Sequence, residues 1–330
     1  MNASHRCERS ASDESWTMHL NTEKTNPEKT RFLAIVNPAA GGGRCGKLAP
    51  AALDRVRCAL DAQGAALEIV HTKKAGDGTQ LARVAYGEGV RHFLAVGGDG
   101  TSYEIVNGVF PESLELGRVS LGFLPLGTGN SFLRDFTTKG VEHTIAAIAA
   151  GESRACDVIC ATHAGGKIYF INVLNLGFPA DVAELTNRRF KSLGERGYIL
   201  AVFGRLAWLF YGTFPHRVGN ADWDRRPSLF LAFTNSKFTG GKMMIAPQAD
   251  SADGLIEYVR WTPIGRARLL WLFPQLFTGR HIEHRLASRA SATRVEFDLS
   301  APANVVVDGE SLTLQLESLE ILPGALDVMV

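Results

Sequence analysis

HFLAVGGDGTSYEIVNGVF, residues 92–110, places a short apolar run ahead of Gly97-Gly98-Asp99-Gly100-Thr101 and a helix-forming segment behind it. The run His92 to Val96 reads as a strand that opens through a glycine turn into a helix, and this is the setting of an anion site. A backbone without Cβ can approach a phosphate closely and aim its N–H groups at the oxygens, and the following helix adds its positive end. Asp99 is the odd member, because a carboxylate facing phosphate repels it unless it holds Mg²⁺ or a ribose hydroxyl. Taken alone, the stretch is explained equally well by a tight turn in which Asp99 caps the helix.

The same texture extends on both sides. From Phe32 to about Asp157, β-branched runs at Phe32 to Asn37, Leu67 to His71, His92 to Val96 and Val119 to Leu124 are separated by helix-length segments. One of these, about 46 to 63, repeats Leu53, Val56 and Leu60 at helical spacing. Alternation of this kind implies parallel strands with crossover helices, whose ligands bind beyond the carboxyl ends. Three strand ends carry glycine turns: Asn37-Pro-Ala-Ala-Gly41-Gly42-Gly43, the GGDGT turn, and Pro125-Leu-Gly127-Thr128-Gly129-Asn130. Connection alone does not call for three, so the set favours a binding site. Thr128 and Asn130 add a hydroxyl and an amide to the backbone donors, and Ser131 is placed to cap a helix through Phe132 and Leu133. Gly41 to Leu48 nearly spells a P-loop, but Leu48 stands where Ser or Thr would bind Mg²⁺, so a P-loop ATPase is the weaker reading.

After about residue 158 the chain turns to strands with Gly, Pro and Asn turns, at Lys167 to Leu176, Ser228 to Thr234, Leu255 to Trp261 and Arg294 to Leu299. This half reads as antiparallel, with helical insertions near 180 to 212 and 263 to 277. The division expected is a nucleotide-binding α/β domain over 31–157 and a β-rich domain over 158–310, preceded by a flexible extension over 1–30, whose polar composition offers too little apolar burial to order it.

At 330 residues, 45% hydrophobic and 21% charged, the chain can bury a large core. Thirty-five basic against 34 acidic residues leave a formal charge of +1, which lacks the broad basic footprint of a nucleic-acid binder. Five cysteines without paired spacing fit a reducing, cytoplasmic setting. No secretory leader is expected before Phe32, and the longest apolar run, Tyr198 to Gly212, is broken by Arg205 and too short to span a bilayer.

Asn37-Pro38 with its glycines, then GGDGT, then PLGTGN together resemble the diacylglycerol kinase catalytic-domain family of lipid kinases, to which sphingosine and ceramide kinases are related. The resemblance continues through Asn175-Leu-Gly-Phe178, Gly240 to Pro247, Ala249, Asp253-Gly254-Leu255 and Asp308-Gly309-Glu310. It implies an N-terminal α/β domain and a C-terminal β-rich, sandwich-like domain with the nucleotide in the cleft between them, the segment 311–330 returning to the first. It also implies that Gly98, Asp99, Gly100, Thr101, Ser102, Tyr103, Glu104, Thr128 and Thr72 contact ATP, with Gly127 and Asn130 beside them and Asn37, Gly41, Gly42 and Gly43 near the phosphates. Asp250 and Leu255 through their carbonyls and Asp253 through its carboxylate resemble a structural Mg²⁺ site, an all-oxygen set suited to that cation; on its own, Asp253-Gly254 reads as a hairpin turn. Glu310 corresponds to the proton acceptor. Asp308, two positions before it, is expected to share one face of a strand with it and to point into the same cleft. One departure is Ser131, where many members carry Asp.

The expected function is ATP- and Mg²⁺-dependent phosphorylation of a lipid hydroxyl, on diacylglycerol, a sphingoid base or another lipid alcohol, with Asp99 helping to hold Mg²⁺ and Glu310, accompanied by Asp308, accepting the hydroxyl proton. Peripheral membrane contact is expected through the 198–212 run beside Arg188, Arg189, Lys191 and Arg196, or through Leu269 to Phe277 beside Arg266, Arg268 and Arg280, against the plainer reading of helices packed on the β domain. Some relatives act as homodimers. The rivals are an NAD kinase, which shares GGDGT but leaves the other motifs unexplained, and a catalytically weak lipid-binding protein that retains the fold.

Overall fold

The computed structural model describes residues 30–185, 201, 204–206 and 209–330. Four parallel strands, β1 (Arg31–Val36), β2 (Ala66–His71), β3 (His92–Gly97) and β4 (Ser120–Pro125), form the first sheet in the order β2-β1-β3-β4. Leu33 through Val36 are all buried, as strands covered on both faces must be. One layer of cover is α1 (Arg44–Asp61), which turns Cys45, Ala49, Leu53, Val56 and Leu60 inward at helical spacing. The other is α2 (Asp77–Gly87) with α3 (Asp99–Val109), whose Leu81, Ala85, Ile105 and Val109 meet the opposite face. Because β2 and β3 lie on opposite sides of β1, the crossovers diverge and leave a crevice at the carboxyl ends of β1 and β3.

The second half is a sandwich. β5 (Arg154–His163) and β6 (Gly166–Phe170) extend the first sheet in antiparallel fashion, beside the long strand Leu316–Met329. That strand pairs with β5 along most of its length and slots parallel to β4 at Asp327, Val328 and Met329. A register shift between Leu322 and Leu326 accommodates Pro323 and Gly324. Facing it is an antiparallel sheet in the order Ala287–Ala292, Ile256–Trp261, Phe230–Thr234, β7 (Val173–Gly177), Ala303–Val307, Glu310–Leu314. Ile159, Phe170 and Ile321 of one sheet interdigitate with Leu174, Phe233, Ile256 and Val307 of the other.

Several expected elements are redrawn. The strand Lys167 to Leu176 is two strands broken at 171–172, where backbone amides turn aside to a buried carboxylate. Asp308 and Glu310 do not share a strand face, because Asp308 (φ 49) and Gly309 (φ 89) are the two-residue turn of a hairpin that pairs Val307 with Glu310. The insertion near 263 to 277 is a seven-residue helix, Arg266–Leu272, followed by the 3₁₀ turns Phe273–Phe277. The boundary placed at 157 falls inside β5, which runs unbroken through it. Among the described residues no helix is long and apolar enough to cross a membrane. The 1–30 extension, apart from Thr30, lies outside the described residues, as do Arg188, Arg189, Lys191, Arg196 and much of the 198–212 run.

Candidate active site

The three glycine turns meet at the crevice, and backbone contact joins them. Gly127 donates its N–H to the Gly97 carbonyl at 2.7 Å, and a Cβ on Gly127 would lie 2.5 Å from the Cα of Gly98. A Cβ on Gly98 would lie 2.7 Å from the Gly129 carbonyl oxygen, and one on Gly41 2.8 Å from that of Leu126. Only glycine permits such an approach, so the first, second and third turns form one surface of backbone. Asn37 shapes the first turn through its side-chain oxygen, which accepts from the Ala39 N–H at 3.2 Å. Gly42 and Gly43 follow at positive φ before α1 begins. Thr72, buried at the end of β2, lies beside that turn with its N–H on the Val36 carbonyl.

Asp99 begins α3, yet its carboxylate serves the third turn, accepting from the Ser131 N–H at 2.9 Å and the Phe132 N–H at 3.4 Å. It therefore caps the short 3₁₀ helix Phe132–Asp135, the task expected of Ser131. Burial raises its pKa, and those amides, together with the Ser131 hydroxyl, oppose the rise. Ser131 is buried, and its hydroxyl instead accepts from the Gly241 N–H at 2.8 Å, joining the glycine turns to the β-rich half. Asp135 adds a second tie, accepting from the Lys237 N–H at 3.1 Å. A third is Asp157, whose two oxygens take the amides of Gly254 and Gly324 at 2.6 Å each. Sequence reading missed Asp135 and Asp157; an acid at a buried position of an otherwise apolar strand was the available sign of Asp157.

Of the other residues expected at the nucleotide, Thr101 and Ser102 are buried in the first turn of α3, and the Ser102 hydroxyl donates to the Asp99 carbonyl at 2.8 Å. The Thr101 hydroxyl has no hydrogen-bond partner although it is buried. Glu104 turns away from the crevice to accept the amides of Gly76 and Gly78 at 2.8 and 2.7 Å, which fixes the entry to α2. The Asn130 amide donates to the Gly127 carbonyl at 3.2 Å, tightening the third turn that also carries Thr128. Tyr103 is flanked by acids, and its hydroxyl pKa is raised first by burial and then by Asp308, Glu310 and Glu104.

The hairpin from the second sheet closes the site. Glu310 is exposed, and its Oε1 lies directly over Gly100, where any Cβ would strike it. Asp308, 2% exposed, is held by three amides, those of Ile171 (3.0 Å), Asn172 (3.1 Å) and Val173 (2.9 Å). These are the amides that interrupt β6 and β7. Burial pushes the Asp308 carboxyl up to about 7 against their pull, and the charge of Asp99 adds to the rise. Asp308 thus fixes the hairpin that presents Glu310 and does not itself face the crevice beside it.

Farther along, Asp250 accepts from the Ala252 N–H at 3.1 Å and Asp253 from the Leu255 N–H at 2.9 Å. Burial raises the pKa of Asp253, and Asp250 and Asp157 raise it further. No cluster of three or more His, Cys, Asp or Glu side chains arranged for a metal occurs among the described residues. A set of two carbonyls and one carboxylate lies outside that description.

Comparison with known proteins agrees with the geometry. Residues 31–161 match the diacylglycerol kinase catalytic domain, and residues 172–330 match the YegS C-terminal NAD kinase beta sandwich-like domain. A diacylglycerol kinase of Mycobacterium tuberculosis is 28% identical over 307 residues, 91% of this chain and 94% of the relative. A protein of Cronobacter sakazakii named as a YegS-like lipid kinase is 30% identical over 269 residues, 80% of this chain and 86% of the relative. A crystal structure from Bacillus anthracis str. Sterne superposes with a TM-score of 0.72 at 24% identity, over 93% of this chain and 97% of that one, which shows the fold. The second match begins at the β6–β7 joint that Asp308 holds, and the chain belongs to the diacylglycerol kinase catalytic-domain family of lipid kinases.

Proposed function

We propose that the chain transfers the γ-phosphoryl group of ATP to the hydroxyl of a lipid alcohol such as diacylglycerol or a sphingoid base, and that Glu310 accepts the hydroxyl proton. The observation that carries this reading is the exposed Glu310 carboxylate seated over Gly100, at the positive end of α3 and beside the fused glycine turns. Phosphoryl transfer requires the reacting oxygens to be placed in line and their charge neutralised more than it requires covalent chemistry. The turns supply rigid backbone donors for the phosphates, α3 adds its dipole, and Glu310 sits where a hydroxyl approaching from the second domain would lose its proton. Asp99 and Asp308 are positioning residues in this scheme: the first fuses two turns, the second anchors the hairpin.

The 250–255 loop has the donor chemistry for Mg²⁺. Burial first, and then the charges of Asp250 and Asp157, raise the Asp253 carboxyl above its ordinary range, and a hard cation held by that carboxylate and neighbouring backbone carbonyls would relieve both. The Asp250 and Leu255 carbonyls and the Asp253 carboxylate would hold Mg²⁺, which would supply charge neutralisation to a loop whose Gly254 amide Asp157 ties to the first sheet.

The test is transfer of labelled γ-phosphate to a panel of lipids in mixed micelles, with NAD as a competing acceptor. Labelled lipid is expected, and Glu310→Gln should lower the rate by about 10²- to 10⁴-fold with the unfolding midpoint unchanged. Label on NAD would move the chain to the NAD kinases. Absence of transfer to every acceptor would leave a lipid-binding protein that retains the fold.

A further inference from the structure

The segment 265–285 carries an unusual surface. Leu269 and Leu272 point into the core formed with Trp261 and Ile264, while Leu270, Trp271 and Phe277 point outward, Trp271 with 73% of its surface exposed. Of the other large exposed apolar side chains among the described residues, Leu114 and Leu116 share the short helix Ser113–Leu116, while Leu48, Val84, Trp223 and Phe210 stand singly along the sequence. Scattered apolar residues are ordinary on a protein surface; a cluster marks contact with something else.

The charge around the cluster indicates what that is. Arg266, Arg268, Arg280 and Arg285 are all exposed, and Glu283 is the only acid between Thr262 and Arg289. None of the four arginines has a carboxylate partner among the described residues, although the whole chain is close to neutral. We infer that this face docks on an anionic bilayer, with Trp271 and Phe277 seated at the headgroup boundary and the arginines on the lipid phosphates. A second copy of the chain meeting the same face by a two-fold axis would oppose these positive charges to themselves.

The face is also joined to the nucleotide turns. Gly279 (φ 72) tucks under Pro247 and Met244, and the His281 ring donates from Nε2 to the Ile245 carbonyl at 3.1 Å. The loop 243–247 in turn begins next to Gly241, whose N–H is held by Ser131. A single loop therefore separates the docked surface from the third turn, so a bilayer-borne hydroxyl and the nucleotide meet on one side of the molecule. This deepens the lipid-acceptor reading, but its test uses neither ATP nor acceptor.

Sedimentation with sucrose-loaded vesicles measures it, comparing phosphatidylcholine alone with phosphatidylcholine containing phosphatidylglycerol. The full chain and its Glu310→Gln variant should both bind only the anionic vesicles, with binding weakened by added salt. Each arginine near the surface is worth about fivefold in affinity, so R266E/R268E/R280E, which removes three positive charges and adds three negative ones, should bind at least about a hundredfold more weakly, while R266K/R268K/R280K should retain binding. W271S/F277S should lose binding with an unchanged unfolding midpoint. Equal binding to neutral and anionic vesicles, or indifference to the charge reversals in a folded variant, would overturn the inference. So would a W271S/F277S variant that changes the mass in light scattering and leaves vesicle binding intact, since the face would then join copies of the chain.

Discussion

Gly127→Ala tests whether the fused turns are the framework of the site. Gly127 has an ordinary negative-φ backbone, so the substitution adds no left-handed strain, and its effect comes from one methyl group. That methyl would stand 2.5 Å from the Cα and 2.6 Å from the N of Gly98, and 3.0 Å from the carbonyl carbon of Gly97. To reach ordinary contact at 3.4 Å the two turns must part by about 0.9 Å. All three neighbours are backbone, so no side chain can swing away, and the 2.7 Å hydrogen bond from Gly127 to Gly97 lengthens with the movement. Overpacking of this kind costs about 1–3 kcal/mol of stability, and a displacement near 1 Å in a positioning framework costs about 10²-fold in rate. The assay is thermal unfolding by circular dichroism together with the rate of phosphoryl transfer. Gly87→Ala, at the end of α2 with open space where its methyl would go, is the control and should leave both unchanged or slightly raise stability. A Gly127→Ala protein that keeps full turnover would show that the approach of the second and third turns does not set the geometry of the reaction.

Other substitutions separate the remaining roles. The Asp308 carboxyl lies near 7 in the folded chain against 3.8 ordinarily, so the folded state holds a proton that the unfolded state has already released; stability falls as pH rises from about 4 to 7, by roughly 4 kcal/mol from this group. Asp308→Asn, which suits the positive φ of the turn, should flatten that decline in urea unfolding, and an unaltered slope would contradict a titrating carboxyl there. Ser131→Ala removes the acceptor of the part-buried Gly241 tie and should lower stability by about 1 kcal/mol; an unchanged unfolding midpoint would mean that the two halves do not depend on it. With Asp253→Asn, the rise in unfolding midpoint on titrating Mg²⁺ should disappear, and a variant that responds like the parent chain would place the cation elsewhere.

What could be read from the chain depended on how local each signal was. The parallel sheet was legible because β1, β3 and β4 each end in a glycine turn within a few residues, and periodicity marks the helices between them. The contacts that fuse those turns were not legible, since Gly98 and Gly127 meet only through folding. Asp308 shows how a true motif can carry a wrong geometry: Asp-Gly is a strong hairpin signal, yet with Glu310 it was read as a strand with two carboxylates on one face. Its real partners, the amides of 171–173, lie more than 130 residues away in sequence. The strand expected from Lys167 to Leu176 failed for the same reason, because nothing in those ten residues announces the carboxylate that bends them. Ser131 and Asp99 exchanged tasks, the acid capping the turn and the hydroxyl reaching the other half, and both arrangements satisfy the same local pattern.

The strand Leu316–Met329 has a consequence for the birth of the protein. It occupies the outer side of β4, pairing Asp327 with Ser120, and everything between the two must be synthesised before the pair can form. At about 5–20 residues per second, β4 leaves the ribosome roughly 10–40 s ahead of its neighbour. Throughout that interval the nascent parallel sheet has an open, apolar edge, the feature that recruits wrong strands and that chaperones cover. Closing so long a loop also makes the contact slow to find. Slowing translation downstream of β4 should therefore lower the yield of folded protein in the cell even where the finished chain is equally stable.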